Sequence, residues 1–275
     1  PSIGIHTSVG LQHLERFKDI GTIAKAKYEL IEALPQDGVA IFNNDSEICR
    51  GLAGQTPLKV IRYGTTAMGG VHLLAEEIRE GSFGLEFLVK DLIRGESALF
   101  RTILLGRHNA SNILAATAAA LKCGMTLSEI GEGVSRLEPI PHRLQVTKGS
   151  GGVTVIDDAY NSNPIGAQMA LETLGKFEHG AKVLVTPGMI ELGQEEYNQN
   201  KQFGVKAAAV CDSVILVGPK RTIPIQDGLK EGGFPGERMV VVKSLREATE
   251  RLKEVVKPGD VVLFENDLPD NYNEE

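Results

Sequence analysis

The stretch that decides the fold of the second half of the chain is residues 153–177, which read VTVIDDAYNSNPIGAQMALETLGKF. It opens with a short β-branched run, Val153–Ile156, and closes with a segment of helical character, Ile165–Phe177. The loop between them, Asp157–Pro164, is dense in polar side chains. A buried strand, a polar loop and an amphipathic helix in this order predict a βα unit of a parallel sheet.

The same alternation of strand and helix continues to the end of the chain. Further strands are predicted at Val183–Thr186, Val214–Val217, Met239–Val242 and Val261–Phe264, and further helices at Glu195–Val210, Ile225–Lys230 and Leu245–Val256. This pattern predicts a doubly wound, Rossmann-like α/β domain. Ligands of such domains bind at the carboxyl ends of the strands, where Asp157–Pro164 and Pro187–Gly193 are the polar loops.

The first half of the chain has a more mixed pattern. Strands are predicted at Ser2–Ser8, Val39–Phe42 and Lys59–Arg62, antiparallel strands over Ser82–Leu105, and helices at Arg16–Leu34, Ser46–Ala53, Asn109–Cys123 and Thr126–Leu137. A Pro-x-Pro sequence at Pro139–Pro141 predicts an extended connector. We therefore expect two α/β domains, at residues 1–143 and 144–275. The acidic tail Glu265–Glu275 is expected to fray.

Composition and charge exclude several classes of protein. Apolar residues make up 42% and charged residues 24% of the chain, as in globular domains. The net charge of −7 argues against a nucleic-acid or anionic-membrane surface. No apolar run approaches the ~18–20 residues that span a bilayer, and no signal peptide is recognisable. The three widely spaced cysteines are interpreted as free thiols, which predicts a cytoplasmic protein. We further expect a monomer that binds small molecules and neither binds nucleic acid nor inserts into a membrane.

The helix predicted over Arg16–Leu34 carries a lysine among apolar residues. Its apolar stripe consists of Ile20, Ile23, Ala24, Leu30, Ile31 and Leu34. Lys27 lies four residues from both Ile23 and Ile31 and therefore falls on that stripe. Either its stem packs on the core while the ammonium reaches water, or the amine is paired, lowered in pKa or chemically modified. His13, on the segment leading into this helix, is either a capping or packing residue or a ligand.

Two asparagines lie at the entrance of the helix predicted from Asn109. Asn109 and Asn112 are three residues apart and so lie on one helical face. Asn109 is either the N-cap of the helix, or the two amides together read the edge of a purine base.

Taken together, these segments resemble the Mur ligase family. In the first half the resemblance rests on Pro1–Gly10, His13–Phe17, Ile23–Glu29, Gly106–Asn109 with Asn112, and Pro141–Arg143. In the second half, Asp157–Pro164 and Met189–Gly193 are similar to the D-alanyl-D-alanine-adding (MurF) type in particular. The resemblance covers essentially the whole chain. It implies a partial central P-loop-type ATPase domain at residues 1–143 and a Rossmann-like C-terminal domain at 144–275.

The resemblance also implies roles for individual residues. Mur ligases use ATP to convert a carboxylate into an acyl phosphate, which an amine attacks to form an amide. Lys27 matches a lysine that is carbamylated and, with His13, binds Mg²⁺. Arg143 matches an arginine that contacts the nucleotide phosphates through its fixed fork of donors. These three residues are the expected catalytic residues.

The remaining matches concern the nucleotide and the incoming dipeptide. Asn109 and Asn112 match residues near the adenine, and Asp158 matches an acid near the ribose. Three residues of the polar loop match the part of the MurF type that forms the dipeptide pocket: Tyr160, Asn161 and Asn163.

The chain departs from the family at one motif. No GxxxxGK[ST] sequence is present, and the closest string, Gly218–Thr222, lacks the glycine spacing. Without that loop no nest of backbone N–H groups holds the β- and γ-phosphates. We therefore expect a truncated form that lacks the P-loop and the N-terminal UDP-recognition domain and is inactive alone.

The leading functional hypothesis is an ATP-dependent carbon–nitrogen ligase of peptidoglycan precursor synthesis, with ATP and Mg²⁺ as cofactors. It would join D-Ala-D-Ala to UDP-N-acetylmuramoyl-tripeptide. The alternatives are another Mur-superfamily amino-acid or polyglutamate ligase, and a non-catalytic binding fragment. A dinucleotide-binding domain is disfavoured because no GxGxxG follows the first strand of the second half.

Overall fold

The structure is a computed structural model, and it describes residues 1–10, 19–160 and 162–267. These residues form two compact units, which divide between Glu138 and Pro139. Both units are α/β, as predicted from the alternation of strands and helices.

Unit 1 is built on a six-stranded sheet in the order β1-β2-β3-β4-β5-β6. Its strands are β1 (Ile3–His6), β2 (Val39–Asn43), β3 (Lys59–Gly64), β4 (Leu73–Gly81), β5 (Gly84–Asp91) and β6 (Glu96–Thr102). The first four run parallel, and β5 and β6 are antiparallel to their neighbours. Its described helices are α1 (Ile20–Glu32), α2 (Glu47–Ala53), α3 (His108–Lys122) and α4 (Leu127–Ser135).

Strand β2 shows why this sheet lies in the middle of the unit. Val39 and Ile41 pack into the core formed with α3 and α4, whereas Ala40 and Phe42 pack against Ile31 of α1 on the other face. Successive side chains of a strand point to opposite faces, so a continuous apolar strand requires a layer of helices on each side.

Two predictions for unit 1 need correction. The antiparallel region predicted over Ser82–Leu105 holds β5 and β6, but β4 begins earlier and pairs parallel with β3 on one side. The apolar stripe of α1 is narrower than predicted, because Ile20 and Leu30 are 38% and 43% exposed. The predicted start of this helix at Arg16 lies outside the described residues.

Unit 2 is built on a sheet in the order β11-β10-β9-β12-β8-β7. Its strands are β7 (Gln145–Lys148), β8 (Thr154–Asp158), β9 (Lys182–Thr186), β10 (Ser213–Val217), β11 (Met239–Val242) and β12 (Val261–Glu265). All pairs are parallel except β7 with β8. Its described helices are α5 (Pro164–Gly175), α6 (Glu196–Val210), α7 (Ile223–Glu231) and α8 (Leu245–Val255).

The order of the strands explains the double winding of unit 2. From β8 the chain moves through β9 and β10 to β11 and then returns to place β12 between β9 and β8. Because parallel crossovers are right-handed, α5, α6 and α7 lie on one face of the sheet and α8 lies on the other. Accordingly, Ala248 and Leu252 of α8 pack on Val183 and Val185, the alternate residues of β9 whose side chains lie on the α8 face of the sheet.

The two ends of unit 2 differ from the predictions. The antiparallel edge strand β7 was not predicted, because three of its four residues are exposed and it has no apolar run. The expectation that the acidic tail frays from Glu265 onward is wrong for its first residues, since Glu265 ends β12 and is 1% exposed. Within the described ranges, no helix has both the length and the apolar character needed to cross a membrane.

Candidate functional site

In unit 1, the carboxyl ends of β1, β2 and β3 are linked by polar side chains that were not singled out from the sequence. Asn43, the last residue of β2, donates from Nδ2 to the Thr7 carbonyl at 3.0 Å and lies 3.4 Å from Ser111 Oγ in the first turn of α3. Asp45 accepts hydrogen bonds from the backbone N–H and hydroxyl groups of both Thr65 and Thr66. These bonds fix the loops at one edge of the sheet, beside the entrance of α3.

Lys27 reaches the same edge from α1. Its side chain is exposed, and Nζ donates to the Ser8 carbonyl at 3.0 Å. The unmodified Lys27 therefore agrees with the first of the two explanations. Its stem runs along the apolar stripe and its ammonium group reaches water. Its carbamylation stays a prediction.

Beneath Lys27 lies a buried pair formed by His6 and Cys49. His6 Nδ1 and Cys49 Sγ are 3.4 Å apart. Burial lowers the pKa of His6, and the positive charge of Lys27 lowers it further. Burial raises the pKa of the Cys49 thiol. Both groups are therefore neutral near pH 7.

The entrance of α3 shows that the N-cap interpretation of Asn109 is wrong. Gly106 turns the chain at φ +87, Arg107 takes the cap position without a side-chain capping bond, and Asn109 is the second residue of the helix. Its Nδ2 donates to the Leu105 carbonyl at 2.7 Å, and its Oδ1 accepts from Asn112 Nδ2 at 3.1 Å. The two amides thus form one polar face, as predicted, and Asn112 is exposed.

Two of the predicted site residues, His13 and Asn161, lie outside the described residues. Among the residues that are described, no group of three or more His, Cys, Asp or Glu side chains is arranged to hold a metal ion.

In unit 2, Arg143 and Tyr160 meet at the surface. The guanidinium carbon lies 4.5 Å from the centroid of the Tyr160 ring, and Tyr160 is 65% exposed. Such cation–π stacking holds a guanidinium in one orientation while leaving its N–H donors free for a ligand.

The backbone around Arg143 is held against the end of β8. His142 Nδ1 lies 2.8 Å from Asp157 Oδ2, and the His142 carbonyl accepts from the Tyr160 N–H at 3.1 Å. On the other side, Leu144 N–H donates to Asp158 Oδ1 at 3.1 Å. His142 and Leu144 both have positive φ, +61 and +46, a conformation that non-glycine residues keep only where the surroundings impose it.

Burial raises the pKa of Asp158 to about 6, although the Leu144 N–H and the positive charge of Arg143 oppose the shift. A carboxylate with a pKa near the physiological range is typical of a functional site.

Asn163 caps the helix that follows this loop. Its side chain accepts from the Gly166 N–H at 3.0 Å, with Pro164 at the first helical position. The structure therefore gives Asn163 a structural role, and its substrate-binding role stays a prediction.

A cavity of about 200 Å³ lies between α5 and α6, next to both polar loops. Its walls include Pro164, Ile165, Gln168, Met189, Phe203 and Lys206. The Lys206 ammonium donates to Gln168 Oε1 in this cavity. Met189 is held in place by Asn200, which bonds both its N–H and its carbonyl at 2.9 Å. No pattern in the sequence marked Asn200, since its role depends on a loop eleven residues away.

Two family descriptions match the chain. Residues 1–120 match the Mur ligase middle domain, and residues 142–265 match the Mur ligase, glutamate ligase domain. Among curated proteins, the UDP-N-acetylmuramoyl-tripeptide--D-alanyl-D-alanine ligase of Mycobacterium tuberculosis is 30% identical over 96% of the chain and 55% of its own length. The Bacillus subtilis protein of the same name is 29% identical over 96% and 56%. The chain thus spans about half the length of the curated relatives it matches.

Solved structures with the same fold include MurF from Acinetobacter baumannii, with a TM-score of 0.82 and 21% identity over 97% of this chain and 56% of that one. A second is MurF ligase from Thermotoga maritima in complex with ADP, with a TM-score of 0.80 and 21% identity over 97% and 58%. The order of the two α/β units along the chain agrees with the order of the two domain matches. The chain belongs to the Mur ligase family.

Proposed function

We propose that this chain provides the adenosine-binding and dipeptide-binding parts of an ATP-dependent ligase that joins D-Ala-D-Ala to UDP-N-acetylmuramoyl-tripeptide through an acyl phosphate. The observation that carries the proposal is the exposed Arg143–Tyr160 stack beside Asp158, at the carboxyl edge of the parallel sheet of unit 2. The names of relatives about 30% identical over 96% of the chain support the choice of substrates.

The proposed roles are assigned to residues of both predicted domains, 1–143 and 144–275. Asn109 and Asn112 face the adenine, since their paired amides offer both donors and acceptors at an open helix entrance. Arg143 contacts the phosphates and Asp158 the ribose. A guanidinium already oriented by stacking loses less conformational entropy when it binds an anion.

The polar loop after β8 would receive the dipeptide. Tyr160 is exposed there, Asn163 ends the loop at the start of α5, and Asn161 lies between them in sequence. The cavity of about 200 Å³ adjoins this loop, and Lys206 supplies a cation for a small carboxylate.

Mg²⁺ would be held by carbamylated Lys27 and His13. The exposed amine of Lys27 is accessible to carbon dioxide, and a carbamate supplies the anionic oxygen that a hard cation prefers. A magnesium site built on these two residues would be completed by phosphate oxygens and water, because Mg²⁺ in proteins usually keeps several water ligands and binds substrate phosphates. The metal would neutralise charge between the carboxylate and the polyphosphate.

We further infer that the 275 residues alone do not turn over, because the sequence has no GxxxxGK[ST] nest for the β- and γ-phosphates. The proposed substrates are small and polar, which is consistent with a cytoplasmic monomer of net charge −7 that binds neither nucleic acid nor membrane.

The parent activity is tested in a chimera in which this chain replaces the matching part of the Bacillus subtilis relative. We expect the amide product of D-Ala-D-Ala and UDP-N-acetylmuramoyl-tripeptide by mass spectrometry, and none from the chain alone. Arg143→Ala should abolish the product, and Arg143→Lys should not restore it, because an ammonium lacks the planar fork.

Calorimetry on the chain itself does not depend on the folding of the chimera. ATP should bind about tenfold more tightly than AMP, the effect of one charge-assisted contact, and Arg143→Ala should remove that preference. Binding of L-glutamate instead of D-Ala-D-Ala would indicate another amino-acid ligase. Absence of both nucleotide and dipeptide binding would indicate a non-catalytic module.

A further inference from the structure

A buried carboxyl group lies between the two polar loops of unit 2. Glu265 is the last residue of β12, the strand between β8 and β9, and is 1% exposed. In the parallel register it stands beside Asp158, the last residue of β8. None of the ion pairs among the described residues includes Glu265. Burial of a carboxyl group without a cation is unfavourable, so its hydrogen bonds must compensate for the lost hydration. The partners in these bonds therefore indicate the role of Glu265.

Each oxygen of Glu265 takes a hydroxyl group from a different loop. Ser162, in the loop after β8, donates to Oε1. Thr186, at the end of β9, donates to Oε2 at 2.9 Å. The Thr186 oxygen also accepts the Gly188 N–H at 3.0 Å, so its own proton points to Glu265. One side chain therefore connects Ser162, near the end of the loop after β8, with Thr186, at the start of the loop after β9.

Asn266 extends the same connection. It has φ +63, and its N–H donates to the Asp158 carbonyl at 3.2 Å. Its Nδ2 donates to the Gly188 carbonyl at 2.6 Å. The left-handed backbone at Asn266 turns the chain so that its backbone bonds to the end of β8 while its side chain bonds to the loop after β9.

We propose that Glu265, assisted by Asn266, is a positioning residue that holds the loops after β8 and β9 in the arrangement that receives the dipeptide. Glu265 is too buried to touch a ligand, and it acts through Ser162 and Thr186. The substrate in this inference rests on the proposed function, whereas the clamping of the two loops rests on the contacts alone.

The test measures hydrogen exchange and ligand affinity on the whole chain. Exchange is followed in peptides that cover residues 158–166 and 187–193, together with calorimetric titration of D-Ala-D-Ala and of AMP. The variants are Glu265→Ala, Glu265→Gln, Ser162→Ala and Thr186→Val. Asp260→Asn is the matched control, because Asp260 is a buried carboxyl group at the opposite end of β12 that accepts the Ala181 and Lys257 N–H groups.

Glu265→Ala should accelerate exchange in both peptides by about tenfold, roughly the effect of one buried hydrogen bond. Ser162→Ala should accelerate only the first peptide and Thr186→Val only the second. Glu265→Gln, which keeps an acceptor for Ser162, should lie near the wild type. Dipeptide affinity should fall about tenfold in Glu265→Ala and AMP affinity should not change, while Asp260→Asn should alter neither loop.

Uniform acceleration across unit 2 in Glu265→Ala, or unchanged loops in all four variants, would overturn the inference, since a residue that only stabilises the core gives no loop-specific pattern. Should Glu265→Ala not fold, the split between Ser162→Ala and Thr186→Val decides the question. If the variants give this exchange pattern but the wild-type chain binds no dipeptide, the proposed function is refuted and the clamp between the two loops stands.

Discussion

We predict how the replacement of Glu265 by glutamine changes the free energy of unfolding of unit 2. The difference between Glu265→Gln and the wild type should shift in favour of the variant as the pH rises from acidic to alkaline values. The side chain keeps its shape and one acceptor oxygen, but it cannot ionise. Burial raises the pKa of Glu265 to about 7, and the neighbouring Asp158 carboxylate adds to the shift, while the Ser162 and Thr186 hydroxyls oppose it. The ionised form is thus disfavoured in the folded state and favoured in the unfolded chain.

The sign and size follow from this pKa. Because the folded pKa lies above the unfolded value of 4.5, the folded state binds more protons between these values, and stability falls as pH rises through this window. From pH 5 to pH 8 the wild type should lose about 2–3 kcal/mol through Glu265. Glu265→Gln should not show this loss. Asp158 is present in both proteins, so most of its own titration cancels in the difference.

Urea denaturation followed by circular dichroism at pH 5 and pH 8 measures the effect. A difference of 2–3 kcal/mol corresponds to a shift of about 1 M in the urea midpoint for a domain of this size. Because the chain has two compact units, Leu171→Ala, which removes a buried side chain of α5, identifies the transition of unit 2.

A difference between Glu265→Gln and the wild type that is the same at both pH values would refute the reasoning. It would mean that Glu265 ionises at the same pH in the folded and unfolded chain, and hence that it is not isolated from water and cations. A destabilisation by Glu265→Gln that grows with pH would reverse the predicted sign.

Three further predictions concern the surroundings of the site. Asn163→Ala should lower the stability of unit 2 by about 1 kcal/mol in urea denaturation through loss of the α5 cap, and Asn163→Asp should retain it. Tyr160→Ala should weaken ATP binding about two- to fivefold in calorimetry by releasing Arg143, and Tyr160→Phe should not. Gly180→Ala should unfold unit 2 in thermal denaturation, because Gly180 has φ +81 and a Cβ there would lie 1.9 Å from the Gly259 carbonyl oxygen. Gly233→Ala, at φ +74 in open space, should cost only about 1–2 kcal/mol.

The fold of unit 2 could be predicted closely because its central strands are buried on both faces. In β12, Val261–Phe264 is a continuous apolar run, and the observed bounds of the central strands differ from the predicted ones by one or two residues. The edge strand β7 lacks this signal, because it is covered on one side only and its residues are mostly exposed. Sequence patterns thus reveal strands that carry an apolar run, including the edge strand β11.

The candidate site was predictable where it depends on local spacing. Asn109 and Asn112 share a helical face because three residues separate them, and their amides bond to one another. The cap position of the same helix was predicted wrongly, because Gly106 turns the chain and places the cap at Arg107, two residues before Asn109. Asn43 and Asp45 were missed because their partners, such as Ser111 and Thr65, come from distant parts of the chain.

Lys27 and Glu265 make the same argument from opposite directions. Lys27 lies on an apolar stripe by helical spacing, yet it is exposed, because its long stem lets the ammonium reach the Ser8 carbonyl at the edge of the sheet. Glu265 lies in an acidic tail, yet it is buried, because Ser162 and Thr186 arrive from 103 and 79 residues away to supply its hydrogen bonds. The burial of a charge is therefore decided by which partners the topology brings to it. In a parallel sheet these partners converge at the carboxyl ends of neighbouring strands, where loops from distant segments meet and where ligands are bound.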